Sequence, residues 1–403
     1  MQKKLIALAV AGLLSAPAFA QSNVTLYGTL DYGYVSLGSG YERGPDDVKI
    51  KGRNALESGV AKANRIGFKG VEDLGNGLKA VFVLENGLAG DIEGTGIFNG
   101  TNRQSYAGLA GGFGTVAFGR QYTPQHLFTA AVDPFGKQGL GGAGNFLFQD
   151  RRLNNLTAYI SPDFGGFKFI LGYTFNGLGD EAMENNRDAR VWAIAPSFTW
   201  NNLFLAANYH NVRFNRDNKM GAPTGSGDKA VSAVNAYDFF ASYDFGIAKV
   251  GGAVGRRTTK KGAIDYLAKG PVAERDSKIT QWMIGATFKI TPSDSILTSY
   301  GRASENKPLV GQDGKARISQ WALGYEHALS KRTALYAQAA FQSHNSAFKD
   351  GVGFYTAGDI GPVGGVTASY KPGFNNDNMA AYNAANIKTP YRRAVGIGMR
   401  HDF

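Results

Sequence analysis

Apolar residues alternate with small or polar ones in runs of about ten residues, and a turn closes each run. In the first run Val24, Leu26, Leu30, Tyr32 and Tyr34 share one face, with Thr25, Thr29 and Asp31 on the other. RIGFKGVE sets Ile66 and Phe68 against Arg65 and Lys69. After the turn DLGNG, LKAVFVLE sets Leu78, Ala80, Phe82 and Leu84 against Lys79 and Glu85. In FKFILGYTF, Phe167, Phe169, Leu171, Tyr173 and Phe175 oppose Lys168, Gly172 and Thr174. A period of two puts successive side chains on opposite faces of a strand. The pattern predicts about sixteen strands joined as hairpins.

The connections sort into two classes. DLGNG, GGFG, SPDFGG, DFG, TPSD and LSKRT are short, whereas Ser36 to Ala63, Asn211 to Ser232, Thr258 to Lys278 and Gln342 to Pro390 are long and polar. Beyond the N-terminal leader, no run offers the roughly 18 apolar residues of a membrane helix. Short turns at one end, long loops at the other and ten-residue alternating strands are the pattern of a transmembrane β-barrel. In lipid an open sheet edge leaves backbone groups unpaired, so the sheet must close. The last run suits closure. Val395, Ile397, Met399 and Phe403 share a face opposite Arg392, Gly396, Gly398, Arg400 and Asp402, and the run ends on a strand residue. The expected fold class is all-β, a closed antiparallel transmembrane barrel of about sixteen strands.

One stretch breaks the alternation. Tyr122 to Asp150 is rich in glycine, poor in charge, and shows no sustained period of two or of 3.6. Loops this long inside a compact chain are usually functional, and this one is expected to fold into the tube. Its GLGGAG (Gly139 to Gly144) matches a dinucleotide-binding pattern but is followed by NFLFQDRR and a strand instead of a helix. The glycines read instead as backbone bending tightly against a wall.

Composition adds a leader and a charge. Lys3 and Lys4, the apolar run Leu5 to Leu14, and Ala18-Phe19-Ala20 predict a signal peptide over 1–20, cleaved between Ala20 and Gln21 after Sec-type export. The barrel then spans 21–403. Losing the two leader lysines takes the formal charge from +11 to +9. In an exported protein that balance points to anionic solutes or lipid headgroups and not to nucleic acid. Cysteine is absent, which excludes disulfides and thiolate chemistry. None of the five histidines sits in a G-x-S-x-G or H-E-x-x-H setting. No catalysis, metal or cofactor is expected, and His126 within the loop reads as structural.

NVTLYGTLDYGY, NRIGFKGVEDLGNGLKAVFVLENG, RQSYAGLAGGFGTVAFGRQYTP, SPDFGGF, LSKRTALY and VGIGMRHDF together touch most of the chain. In these segments the chain resembles the trimeric general diffusion porins of Gram-negative bacteria, in their betaproteobacterial and neisserial branch. The resemblance implies a sixteen-stranded barrel, a homotrimer, and a third loop (here 122–150) folded inward as the constriction. It also implies an arginine cluster there. Residue by residue, the cluster is Arg65 of N-R-I-G-F, Arg103 of R-Q-S-Y-A-G-L, and Arg152 before N-L-T-A-Y, with Arg151 the other candidate for that position. Strand parity agrees: Arg65 goes with Lys69, and Arg103 lies opposite Tyr106 in parity. An arginine facing lipid near the midplane would cost about 2 to 4 kcal/mol.

Such porins commonly set acids on the constriction loop, and here the chain departs. Between Tyr122 and Asp150 the only acids are Asp133 and Asp150, against Lys137, with Arg120, Arg151 and Arg152 at the ends. Glu85 and Asp31 share the lumen face and partly oppose the basic wall. The expectation is an outer-membrane pore for passive diffusion of small hydrophilic solutes and ions, preferring anions. A substrate-specific anion channel with a saturable site is the first alternative, and a non-conducting barrel serving as adhesin or enzyme the second. Expected partners are outer-membrane lipid and lipopolysaccharide, further copies of the chain, and the barrel assembly machinery, with Phe403 as the C-terminal assembly signal.

Overall fold

In a computed structural model, the described residues are 23–38, 40–42, 48–50, 53–88, 102–147, 152–174, 190–213, 233–260, 276–306, 315–344 and 393–403. β1 (Asn23–Leu37) is followed by a small separate hairpin, β2 (Gly40–Glu42) with β3 (Val48–Ile50). Next come β4 (Arg53–Ser58), β5 (Arg65–Gly75), β6 (Leu78–Gly87), β7 (Asn102–Gly111) and β8 (Gly114–Tyr122). A helix, α1 (Pro124–Val132), precedes β9 (Arg152–Ile160), β10 (Phe167–Thr174), β11 (Arg190–Trp200) and β12 (Leu203–Arg213). β13 (Ala233–Asp244), β14 (Ala248–Thr259), β15 (Ser277–Lys289) and β16 (Asp294–Glu305) continue the wall. β17 (Ala316–Ala328), β18 (Thr333–His344) and β19 (Arg393–Asp402) complete it.

All neighbouring pairs are antiparallel, and the sheet closes where β1 meets β19, from Thr29 opposite Asp402 to Leu37 opposite Ala394. Phe403 seals the seam, exchanging backbone hydrogen bonds with Gly28 at 3.1 and 3.2 Å. On its other edge β1 pairs first with β5, over Asn23–Thr29, and then with β4, over Tyr32–Leu37. β4 and β5 are thus two halves of one barrel strand, and the seventeen strands of the sheet make a sixteen-stranded barrel.

The faces follow the period of two. Leu26, Leu30, Tyr32 and Tyr34 are exposed on the outside, while Thr29 and Asp31 are buried within. Val395, Ile397 and Met399 likewise face out. Aromatic side chains crowd the outer face toward the long connections, with ring contacts from Trp192 to Tyr209, Tyr209 to Tyr237, Trp282 to Tyr300 and Trp321 to Phe341. Rings at this level form the interfacial girdle of a membrane barrel.

The reading of Ser36 to Ala63 as one long polar loop is corrected. Ser36 and Leu37 still belong to β1, 53–58 form β4, and 59–64 turn into the barrel, where Val60 and Ala61 are buried. A short apolar insert among lysines and asparagine has no periodicity to mark it. The leader over 1–20, its Ala20 and Gln21 cleavage site, Arg151, Asp150 and Phe175 lie outside the described residues, as do most of the other long connections.

The seam generates a test. A Cβ on Gly28 would lie 2.5 Å from the Arg65 carbonyl oxygen and 2.4 Å from the Phe403 ring, whereas one on Gly112 meets nothing within 4 Å. Overpacking of this kind costs about 1–3 kcal/mol. Gly28→Val is expected to lower the temperature at which the folded barrel converts to its slow-migrating unfolded form on SDS gels, and Gly112→Val to leave it unchanged.

Candidate functional site

The stretch after β8 begins with a helix that no periodicity announces. Thr123 caps α1, its side chain accepting from the His126 N–H at 3.1 Å, and Pro124 occupies the first turn. A capping threonine followed by proline is a helix start in its own right. At the other end Lys249 of β14 donates to the Ala131 carbonyl at 2.8 Å, placing a cation at the negative end of the helix. Phe128 packs edge-on against Phe204 and Phe240 at 6.0 and 5.7 Å. Asp238 of β13 accepts from Gln125 of the helix, and also from Asn208 and Gln281 of the wall. The helix is therefore docked inside the barrel against β11–β14.

Beyond α1 the chain follows the same wall. Small wall residues there make room for the segment's own bulk: Phe146 occupies the space of a Gly301 Cβ, and the Val132 carbonyl lies 2.2 Å from that of Gly251. At the far side the Leu140 N–H donates to the Val60 carbonyl at 3.2 Å, and Gln138 accepts from the Ala63 N–H at 3.1 Å. The insert at 59–64 is thus the seat of the segment's tip. Asp133 organises the turn, accepting from the N–H groups of Phe135, Lys137 and Ala143 at 3.1, 2.9 and 2.7 Å. Burial pushes its carboxyl up to about 6 against the pull of those donors.

Because the segment hugs one side of the barrel, a cavity of about 350 Å³ remains between it and the wall of β5–β10, with Tyr27 of β1 and residues of β11 and β12, His210 among them, also lining it. Arg65 and Lys69 line it, together with Glu85, Tyr122, Thr123, Pro124 and Leu127. Among the described residues Arg65 makes one side-chain hydrogen bond, Nε to Thr29 Oγ1 at 3.4 Å, and Lys69 lies 5.6 Å from the Tyr27 ring centre. Glu85 is already engaged, accepting from Arg103 Nε at 2.7 Å and from the Tyr27 hydroxyl at 3.1 Å.

Arg103 is fully buried and turned inward. Its placement by parity is corrected, because Gln104 and Tyr106 line the cavity as well. A register shift pairs Glu85 with Gln104 but Asn86 with Asn102, leaving Arg103 in a bulge that re-aims it. Arg152 sits with its guanidinium 4.8 Å from the Tyr122 ring centre, and the Tyr122 hydroxyl accepts from Arg103 at 2.7 Å and Arg152 at 3.4 Å. Tyr122, stacked on His126 at 4.4 Å, joins the two arginines, a role that sequence reasoning missed. Its only sequence signal is its position at the loop's start, in register with Arg152.

Other expected site residues fall elsewhere. Arg120 shares parity with outward Phe118 and donates to the Asn102 carbonyl and the Asn154 side chain. Asp133 and Lys137 are buried in the segment's own fold and do not line the cavity. Asp31 is held at the seam by Tyr336 at 2.6 Å and by the Lys62 N–H at 2.9 Å.

A closed barrel with an inward segment against one wall leaves a lumen open along the other. The model of the family described as Gram-negative porin matches residues 7–347. The chain belongs to that family. It is 31% identical over 370 residues to outer membrane porin protein 32 of Delftia acidovorans, covering 89% of this chain and 95% of the relative. An outer membrane porin protein of Bordetella pertussis is 29% identical over 391 residues, covering 87% of this chain and 96% of its own. Among solved structures, the anion-selective porin from Comamonas acidovorans is similar with a TM-score of 0.67 at 25% identity, covering 95% of this chain and 100% of that one. The protein is a porin of the Gram-negative outer membrane.

The turn of the porin's inward segment is organised by Asp133. Asp133→Ala leaves three buried N–H donors without an acceptor, each costing about 1–3 kcal/mol. The segment is expected to loosen from the wall, and single-channel conductance in planar bilayers should rise above wild type with broader current noise. An unchanged conductance would show that the segment is held by its wall contacts alone.

Proposed function

We propose that the porin conducts small hydrophilic solutes passively and prefers anions, with residues 122–150 as its constriction. The observation that carries this is the charge balance of the cavity. Arg65 and Lys69 line it, the one acid among its described lining residues, Glu85, is paired with Arg103, and the described part of the inward segment contributes no acid to it. Rings of basic side chains at a narrow point select anions. Residue by residue, Arg65 and Lys69 face the solute, while Arg103 and Arg152 add positive potential through Tyr122. The similar porin from Comamonas acidovorans is anion-selective, which supports the same sign here.

Passive diffusion needs no catalytic group, and the porin is read as a channel and not an enzyme. Export by the leader at 1–20, recognition of Phe403 during barrel assembly, and association into a homotrimer complete the reading. The apolar outer face of the barrel offers both a lipid surface and a subunit surface.

The test is the reversal potential in a planar bilayer under a potassium chloride gradient. Wild type is expected to show the sign of chloride selectivity, with Arg65→Ala and Arg152→Ala each moving the potential toward zero. A cation-selective wild type would overturn the anion reading. An unmoved Arg152→Ala would remove Arg152 from the selectivity machinery.

A further inference from the structure

The cavity has a second property that ion selectivity does not use. Inward positions of a water-filled barrel are ordinarily polar. Here Val83 of β6, Leu153, Leu156 and Ile160 of β9 and Ile170 of β10 all point into the cavity, and Leu127 of α1 faces it from the segment. Leu153 and Leu156 belong to an apolar cluster with Ala158 and Val191 that is separate from the one seating the helix, while Ile170 also packs against the cluster that holds Phe128 and Val132. They make one wall of the narrow passage apolar while Arg65 and Lys69 make another basic.

Two features show that the apolar wall is built into the backbone. Leu153 and Leu156 would lie on opposite faces of a regular strand, since they are three residues apart. A register shift between Gly119 and Gln121 of β8 pairs Gly119 with Leu156 and Gln121 with Leu153, and Asn155 takes the left-handed conformation at φ 50°. That irregularity turns both leucines into the cavity. The second feature is size. About 350 Å³ lies at the lower end of volumes that hold a small organic ligand, and mixed apolar walls with a few placed charges are what such sites look like.

We propose that the passage is a transit site for organic monocarboxylates carrying an apolar body, such as aromatic or branched aliphatic acids. The carboxylate is held at Arg65, whose terminal N–H groups make no hydrogen bond among the described residues and suit a two-pronged bond, with Lys69 beside it. The body lies against Leu153, Leu156, Ile160 and Ile170. Glu85 does not repel the anion at full strength, because Arg103 and Tyr27 already hold its carboxylate. The proposal rests on the anion reading for its charged end and adds the apolar end. Electrostatic attraction alone is screened over about 8 Å at physiological salt, whereas burial of an apolar body is not. Binding of this kind persists at high ionic strength.

Chloride conductance of single channels, titrated with benzoate or with acetate at fixed high ionic strength, tests it. Benzoate is expected to reduce the chloride current at a concentration at least roughly tenfold below that at which acetate does, the ratio that about 1.4 kcal/mol of apolar burial gives. Benzyl alcohol, of matching shape without the charge, is expected to have no effect at the benzoate concentration. The benzoate-to-acetate ratio is taken within each variant, and Leu156→Ser and Ile170→Thr are each expected to bring it toward one. Equal potency of benzoate and acetate on wild type, or an unchanged ratio in both variants, overturns the proposal. A block by benzyl alcohol equal to that by benzoate overturns the role of Arg65 and Lys69. The reversal potential reads the anion preference separately, so a chloride-selective pore with no benzoate preference sinks only this proposal.

Discussion

Every backbone N–H and C=O that crosses the hydrocarbon must find its partner within the sheet. From this constraint follow closure of β1 on β19, the last residue bonding to Gly28, and the division of each strand into a lipid face and a lumen face. Closure also creates the problem that the rest of the chain addresses. A sixteen-stranded tube encloses more space than its inward side chains fill. The stretch after β8 occupies one side of that space and leaves a passage along the other.

What holds the segment in place is a mixture of bulk and polar bonds suited to a wet interior. Phe128, Phe146 and Phe135 supply bulk where the wall has small residues, Gly301 and Gly324 among them. Water inside the barrel competes for every polar group, so the polar anchors are buried ones. Asp238 gathers amides from α1, β12 and β15, and Asp133 gathers three backbone N–H groups of the turn. The insert at 59–64 then receives the tip. Asp238 thus holds the helix to the wall, and Asp133 holds the turn that follows it. Neither carboxylate lines the cavity that the segment leaves open.

The strands were legible because lipid imposes a strict period on one face. Leu26 to Tyr34 and Val395 to Met399 could be assigned without any tertiary information. Legibility fell wherever the backbone departs from that period. Arg103 turns inward although parity does not put it there, since the bulge at Asn102 and Arg103 breaks the alternation. Leu153 and Leu156 share a face only because of the irregularity at Asn155. α1 was hidden because most of its residues are buried, so that little amphipathic contrast survives, although Thr123 and Pro124 mark its start. Asp238 sits in an alternating run like any other inward polar residue, and only the docked helix gives it a distinct role.

The same departures concentrate at the passage. A regular barrel can present to its lumen only what every second residue of each strand provides. Bulges at β7 and β9 add Arg103 behind Glu85 and Leu153 beside Leu156, and they raise the local density of both charge and apolar surface beyond that limit. Arg103 then neutralises the acid that would otherwise face Arg65, while Tyr122 ties Arg103 to Arg152 across the mouth of the segment. The charge and apolar surface lining this passage are thus set by irregular backbone at one level of the barrel. The regular remainder supplies the wall, and the small departures from regularity decide what the wall presents to a solute.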